Sequence, residues 1–217
     1  PGEPPRAVKM TRTLVRGTLP VEARLLEGNV GYILIPTLWD ETIVERVRQT
    51  LQELTSEEEL AGLILDNRIN PGGSDTVLEG LLEFFTQGQV GHFRGRWGQE
   101  PLRVRGTDIG GSQHIPLAIL VGRETASFAE ILSGALREAG RAQIVGRTTL
   151  GNVEVLYGYD FEDGSRAWIA AETFVPPSGV DWEETGIIPD VEIPLDWDEF
   201  TVEDDPQLEA ALDLLRP

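Results

Sequence analysis

The chain of 217 residues contains no cysteine, so disulfides, zinc–thiolate sites and thiol catalysis are all excluded. It has a single methionine and two histidines, and Lys9 is its only lysine, the other basic residues being arginine. General bases other than carboxylates are therefore scarce. Positive charge is scarce too. The balance of 18 basic against 37 acidic residues gives a net charge of -19. Nucleic acid binding needs clustered Lys and Arg to displace counterions, and this composition disfavours it. Anionic membrane surfaces are disfavoured for the same reason. No apolar run approaches the roughly 20 residues that a membrane helix requires, so membrane insertion is not expected. No signal peptide pattern is visible.

What is present is enough for a substantial core, since 40% of the residues are hydrophobic. Residues 1–20 read as an extended lead-in, beginning with the polar stretch PGEPPRAVKM. Beyond it, ARLLEGNVGYILIP holds two apolar runs around Gly28-Asn29, which predicts a hairpin. Asp40 is placed to cap a helix running to about Leu54, with Ile43, Val47, Leu51 and Leu54 at helical spacing. Gly62–Leu65 and Pro116–Val121 read as buried strands, each followed by a helix, from Asp75 to Phe85 and from Ser127 to about Ala139. Gln143–Val145 reads as a third short strand. Residues 86–114 read as a Gly- and Arg-rich irregular excursion. Residues 153–193 read as mostly β, with a turn at Asp163-Gly164, and residues 205–215 as a terminal helix. Strand–helix alternation over residues 60–146 argues for an α/β core with parallel strands and a β-rich C-terminal part.

Ligands of open α/β sheets sit beyond the carboxyl ends of the strands. Two glycine-bearing loops occupy such positions: Asn70-Pro-Gly-Gly73 and Gly122-Arg-Glu-Thr-Ala-Ser127. Glycine allows close backbone approach, and a serine at a helix start lies near N–H groups that favour a developing oxyanion. Together they form the parts of an acyl-transfer site. Ser127-Phe-Ala-Glu130 is equally a capping box, in which the serine caps the helix and the glutamate reaches back. Spacing alone leaves both readings open.

The ordered series GLILDNRINPGG, PLAILVGRETASFAEILSGALREAGRAQIVGRTTLGN and GIIPDVEIP resembles the tail-specific (C-terminal-processing) serine peptidase family, from about Val30 to Leu215. The resemblance implies a crotonase-like or ClpP-like α/β spiral core over residues 21–217. It implies that residues 1–20 are the tail of a PDZ-like domain. It implies Ser127 as nucleophile, and the N–H of Phe128 with that of Gly72 or Gly73 as the oxyanion hole. Glu130 falls where the family has a supporting carboxylate. No metal or organic cofactor is implied. A polypeptide substrate, an extracytoplasmic (periplasmic or secreted) location and self-association are expectations of the same kind.

One segment departs from the pattern. The family's Ser–Lys dyad places its lysine and a glutamine in the segment that here reads Gly151-Asn-Val-Glu-Val-Leu156, so the lysine position is Asn152 and the glutamine position Leu156. Asparagine cannot take a proton from serine, and a serine nucleophile is weak without a base. Lys9 stands far off in the lead-in. A histidine base, as in the tricorn-like branch, leaves His92 or His114. Glu154 is a carboxylate near the segment, otherwise an exposed strand residue. Two other routes are a base supplied by a missing domain or another subunit, and loss of catalysis with retention of binding. A retinoid-binding protein of the photoreceptor matrix resembles the same superfamily, so a peptide- or apolar-ligand-binding module is the alternative function.

Overall fold

The computed structural model describes residues 20–201 and 204–216. The lead-in readings, including Lys9, lie almost wholly outside them. The first two strands, β1 (Glu22–Leu26) and β2 (Val30–Leu34), form the expected antiparallel hairpin, with Gly28 and Asn29 at φ 75 and 58. Next come α1 (Ile43–Leu54), β3 (Gly62–Asp66) and α2 (Asp75–Phe85). Then follow β4 (Gly88–Gly95), β5 (Gly98–Val104), β6 (Leu117–Val121) and α3 (Phe128–Glu138). The chain closes with β7 (Ala142–Gly146), β8 (Glu154–Asp160), β9 (Arg166–Val175), β10 (Val191–Glu192) and α4 (Pro206–Leu215).

Six strands form one sheet in the order β1-β2-β3-β6-β7-β10, with every pair parallel except β1–β2. The fold is thus mixed α/β. Alternation along these strands divides their side chains between two faces. Ile33, Leu63, Leu65, Ile119 and Ile144 pack in one cluster with α1, α2 and α3. Val30, Tyr32, Ile64, Leu120 and Val145 pack in another, with Leu208, Ala211 and Leu215 of α4. Because β3 and β6 are buried on both faces, their sequences GLILD and LAILV are continuous apolar runs rather than alternating ones.

Three expectations are corrected. The first helix begins at Ile43, with Thr42 and not Asp40 at the cap position: the Asp40 carboxylate accepts from the N–H (2.9 Å) and hydroxyl (2.7 Å) of Thr42, closing a local turn ahead of the helix. Residues 86–114 are irregular mainly from 105 on, since β4 and β5 make a hairpin over 88–104 and join a second, antiparallel sheet in the order β5-β4-β9-β8. Val90, Leu102 and Val104 are the buried apolar side chains of the hairpin, too few to give a strand pattern among so many Gly and Arg. Lastly, the β-rich stretch is interrupted. Residues 176–190 are turns and bends, and β10 has only two residues.

Candidate active site

The carboxyl ends of β3, β6 and β7 carry loops 67–73, 122–127 and 147–153, and these three converge. Two buried asparagines tie the first to the second. Asn67 Nδ2 donates to the Ala129 carbonyl (3.1 Å) and to Ser133 Oγ (2.9 Å), while Asn70 Nδ2 donates to Asn67 Oδ1 (2.9 Å). Thr125 Oγ1 donates to the Asn67 carbonyl (2.8 Å), and the Ala126 N–H to the Asn70 carbonyl (3.1 Å). The Leu150 N–H reaches the Thr125 carbonyl (3.0 Å), bringing in the third loop. From behind, Arg68 anchors the first loop. Its guanidinium bonds the Asp66 carboxylate at 2.6 Å and Asp205 at 2.8 Å, and Asp205 also caps α4 through the N–H groups of Gln207 and Leu208. Burial opposes the Arg68 charge, but the two carboxylates outweigh it and hold its pKa above the ordinary value.

At this junction Ser127 has φ 56 and ψ -129. A capping residue has β-region angles, and a non-glycine residue at positive φ is strained by about 1–3 kcal/mol. Both contacts of the capping box are present, but that of the serine hydroxyl with the Glu130 N–H falls short of a hydrogen bond. The Glu130 carboxylate accepts the Ser127 N–H at 3.0 Å, but the Glu130 N–H goes to the Ser127 carbonyl (2.9 Å) and the serine hydroxyl makes no cap bond. Beyond that cap contact the hydroxyl has no partner among the described residues. The turn therefore presents the side chain instead of spending it on the helix.

Gly72 and Gly73 abut this serine with different roles. A Cβ on Gly72 (φ 90) would stand 2.7 Å from Ser127 Cβ and 3.1 Å from the Phe128 nitrogen, so only glycine lets the loops approach this closely. The Gly72 N–H is already used, donating to Asn70 Oδ1 at 3.0 Å. Gly73 (φ 157) lies against Leu38, and its neighbours make the bridging bonds: Leu38 N–H to the Gly72 carbonyl (2.8 Å) and Ser74 N–H to the Leu38 carbonyl (2.9 Å). The N–H groups of Gly73 and Phe128 donate to no acceptor among the described residues. Of the three backbone donors expected from the sequence, these two are the free ones.

Glu130 is fully buried, and its carboxylate accepts four hydrogen bonds. Oε1 takes Thr149 Oγ1 (2.5 Å) and the Gly151 N–H (2.8 Å), while Oε2 takes the N–H groups of Ser127 (3.0 Å) and Asn152 (2.9 Å). A carboxylate has about four lone-pair positions, so none is left to receive a proton from Ser127. Glu130 clamps the Ser127 turn to the 149–152 segment. Through it the backbones of Ser127 and Asn152 share one oxygen atom, which puts Asn152 beside the serine.

Neither histidine is brought there. Phe93 of β4 packs edge-on against Phe128, with ring centroids 6.2 Å apart, and the next residue along a strand points to the opposite face. That directs His92 away from Ser127. His114 is exposed at the N-terminal end of β6, opposite the end that leads to Ser127. Sequence reasoning missed Thr149 and Glu183. Thr149 Oγ1 links Glu130 to the Ile187 N–H (2.7 Å), tying in the closing Gly186–Asp190 segment. Glu183, half-buried, accepts the Val153 N–H at 2.8 Å. Burial raises its pKa, with Glu154 and Glu130 adding to the effect and the Val153 bond opposing it. Thr149 stands within a motif that was read, so its position was a usable signal. Glu183 is remote in sequence and carries none.

Comparison with known proteins follows this geometry. The pattern of Peptidase family S41 matches residues 29–193, most of the chain and all three loops. The chain belongs to this family. A carboxyl-terminal-processing protease of Synechocystis sp. is 32% identical over 225 residues, covering 98% of this chain and 51% of the relative. Carboxyl-terminal-processing peptidase 2, chloroplastic, of Arabidopsis thaliana is 29% identical over 206 residues, covering 89% and 39%. The solved structure of a photosystem II D1 C-terminal processing protease superposes with a TM-score of 0.69 at 30% identity, over 79% of this chain and 45% of that one. The chain thus spans about half the length, or less, of these relatives.

Proposed function

We propose that this chain carries the acyl-transfer site of a serine peptidase acting on polypeptides, with Ser127 as nucleophile. The carrying observation is the strained turn at Ser127, which leaves its hydroxyl free beside two unused N–H donors. In the reaction Ser127 Oγ bonds to a peptide carbonyl carbon while its proton passes through solvent water to the nitrogen of the breaking C–N bond. The carbonyl oxygen gains charge between the Phe128 and Gly73 N–H groups, which stabilises the transition state. The amine departs with a proton, and water then releases the acyl group. Glu130 holds the serine turn without touching the reacting atoms. The proton acceptor is neither Asn152 nor either histidine as placed. Labelling with a fluorophosphonate serine probe tests the assignment: adduct should form on Ser127 and be lost in Ser127→Ala. Equal labelling of both proteins would remove it.

The finer readings belong with this proposal. We read residues 21–217 as the peptidase-like core domain, with a crotonase-like spiral. The right succession of parallel strands supports it. We also read the location as extracytoplasmic, which the family resemblance supports. A second reading has its own observation: Asn152 and Leu156 stand where the dyad's lysine and glutamine belong. It makes the domain a peptide- or apolar-ligand-binding module. Peptide binding unchanged by Ser127→Ala, with no turnover by the native chain, would favour it.

A further inference from the structure

The second sheet has two free edges, β5 and β8, and only one is guarded. On β5, Pro101 supplies no N–H and Arg103 is exposed. Proline and charge on an edge strand are the usual means of preventing further pairing. β8 reads Glu-Val-Leu-Tyr-Gly-Tyr-Asp, with no proline or basic residue. Its outer part and that of β9 are exposed on both faces. Leu156, Tyr157, Tyr159, Trp168 and Ile169 are 46%, 48%, 51%, 57% and 52% exposed. Such an edge left bare is a template for another strand.

The backbone phase of that edge follows from the hairpin. The Phe161 N–H donates to the Ser165 carbonyl (2.9 Å), so Phe161 faces β9. The register pairs Tyr159 with Ala167 and Tyr157 with Ile169. In an antiparallel ladder hydrogen-bonded and non-hydrogen-bonded pairs alternate. Tyr157 and Tyr159 therefore bond inward, and Leu156, Gly158 and Asp160 turn their N–H and C=O groups outward. The edge leads to the active site. Glu154, the first residue of β8, follows Gly151-Asn152-Val153, and Asn152 shares a Glu130 oxygen with Ser127.

We propose that the outer edge of β8 receives an extended stretch of substrate polypeptide as a fifth strand, delivering it toward Ser127. This rests on the peptidase reading above. Main-chain bonds to Leu156, Gly158 and Asp160 hold the strand without regard to its sequence, and the apolar side chains on both faces flank its own alternating residues. Glu154, Asp160 and Glu172 lie along β8 and its partner, and Arg166 is the basic residue of the ribbon, paired with Asp160. The edge therefore suits neutral or basic segments rather than acidic ones.

Amide hydrogen exchange on the Ser127→Ala protein tests this, since bound peptide then persists. The probe is a synthetic peptide of alternating threonine and valine flanked by lysines. With saturating peptide, exchange at Leu156, Gly158 and Asp160 should slow about tenfold or more, while Tyr157 and Tyr159 change little. Leu156→Pro removes one outward N–H and spares the β8–β9 ladder, so it should weaken peptide binding about tenfold. Leu156→Ala should not. Peptide bound without protection of these three amides overturns the proposal, as does no binding at all. Protection that rises with protein concentration in the absence of peptide also overturns it, and assigns the edge to a second copy of the chain. Fluorophosphonate labelling of the native protein separates the two readings. An edge that binds peptide beside an unlabelled Ser127 removes the peptidase reading alone, and a labelled Ser127 beside an unprotected edge removes the strand proposal alone.

Discussion

Replacing Ser127 with glycine should make the protein more stable, although glycine usually does the reverse. The residue has φ 56 and ψ -129, which an L side chain tolerates only under strain. That strain is about 1–3 kcal/mol. Glycine removes it, at an unfolded-state entropy cost of about 0.4–1 kcal/mol. The net expectation is a gain of about 1 kcal/mol. The reference is Ser127→Ala, which keeps the Cβ and loses the hydroxyl. Since the hydroxyl makes no hydrogen bond among the described residues, the alanine variant should match the native protein within about 0.5 kcal/mol. In a domain of this size 1 kcal/mol moves the Tm by about 2–4 °C. Thermal and urea unfolding of the three proteins measure it directly. A glycine variant less stable than the alanine variant would refute the reasoning, because the serine turn would then not be strained. An alanine variant weakened by 1 kcal/mol or more would restore the capping role.

Other outcomes follow from the same contacts. Glu130→Ala leaves the N–H of buried Gly151, those of half-buried Ser127 and Asn152, and the Thr149 hydroxyl without their acceptor. At about 1–3 kcal/mol for each buried donor, the Gly151 N–H and the Thr149 hydroxyl alone cost about 2–6 kcal/mol, a large part of the 5–15 kcal/mol that holds a domain folded. A loss under 1 kcal/mol in urea titration would contradict the clamp. Gly72→Ala drives a methyl to 2.7 Å from Ser127 Cβ. Probe labelling of Ser127 should fall at least about tenfold, and a labelling rate equal to native would show that the loops can separate. Glu183 has a folded-state pKa above the ordinary glutamate value, so its ionisation opposes folding. Its contribution is present below the unfolded pKa and lost as pH rises through the folded one. Glu183→Gln should therefore gain stability relative to native as pH rises through that window toward neutrality. A difference independent of pH from 4 to 7, about the range of glutamate titration, would contradict the burial effect.

Legibility in the sequence tracked burial. β3 and β6 were readable because both their faces are covered and their residues are uniformly apolar. α1 was readable from the helical spacing of Ile43, Val47, Leu51 and Leu54. β4 and β5 were hidden because few of their positions are buried and glycine and arginine occupy the rest. At the site, Ser127, Glu130 and the two glycines stood out through the order of their motifs. Which glycine keeps a free N–H was not legible, since that depends on the Asn70 side chain taking the other. Nor was the saturation of Glu130, because Thr149, Gly151 and Asn152 meet it only in the fold. The departure at Asn152 was plain in the sequence; its place beside Ser127 follows from the carboxylate they share.

The central claim is that the turn at Ser127 is an intact acyl-transfer site whose base position is filled by Asn152. The rate of fluorophosphonate modification at Ser127, compared between the native protein and Asn152→Lys, tests it most directly. A well-placed general base contributes about 10²–10⁴-fold. The account predicts modification confined to Ser127 and faster by at least about tenfold in the lysine variant, even where the new base is imperfectly seated. Equal rates in the two folded proteins would contradict it.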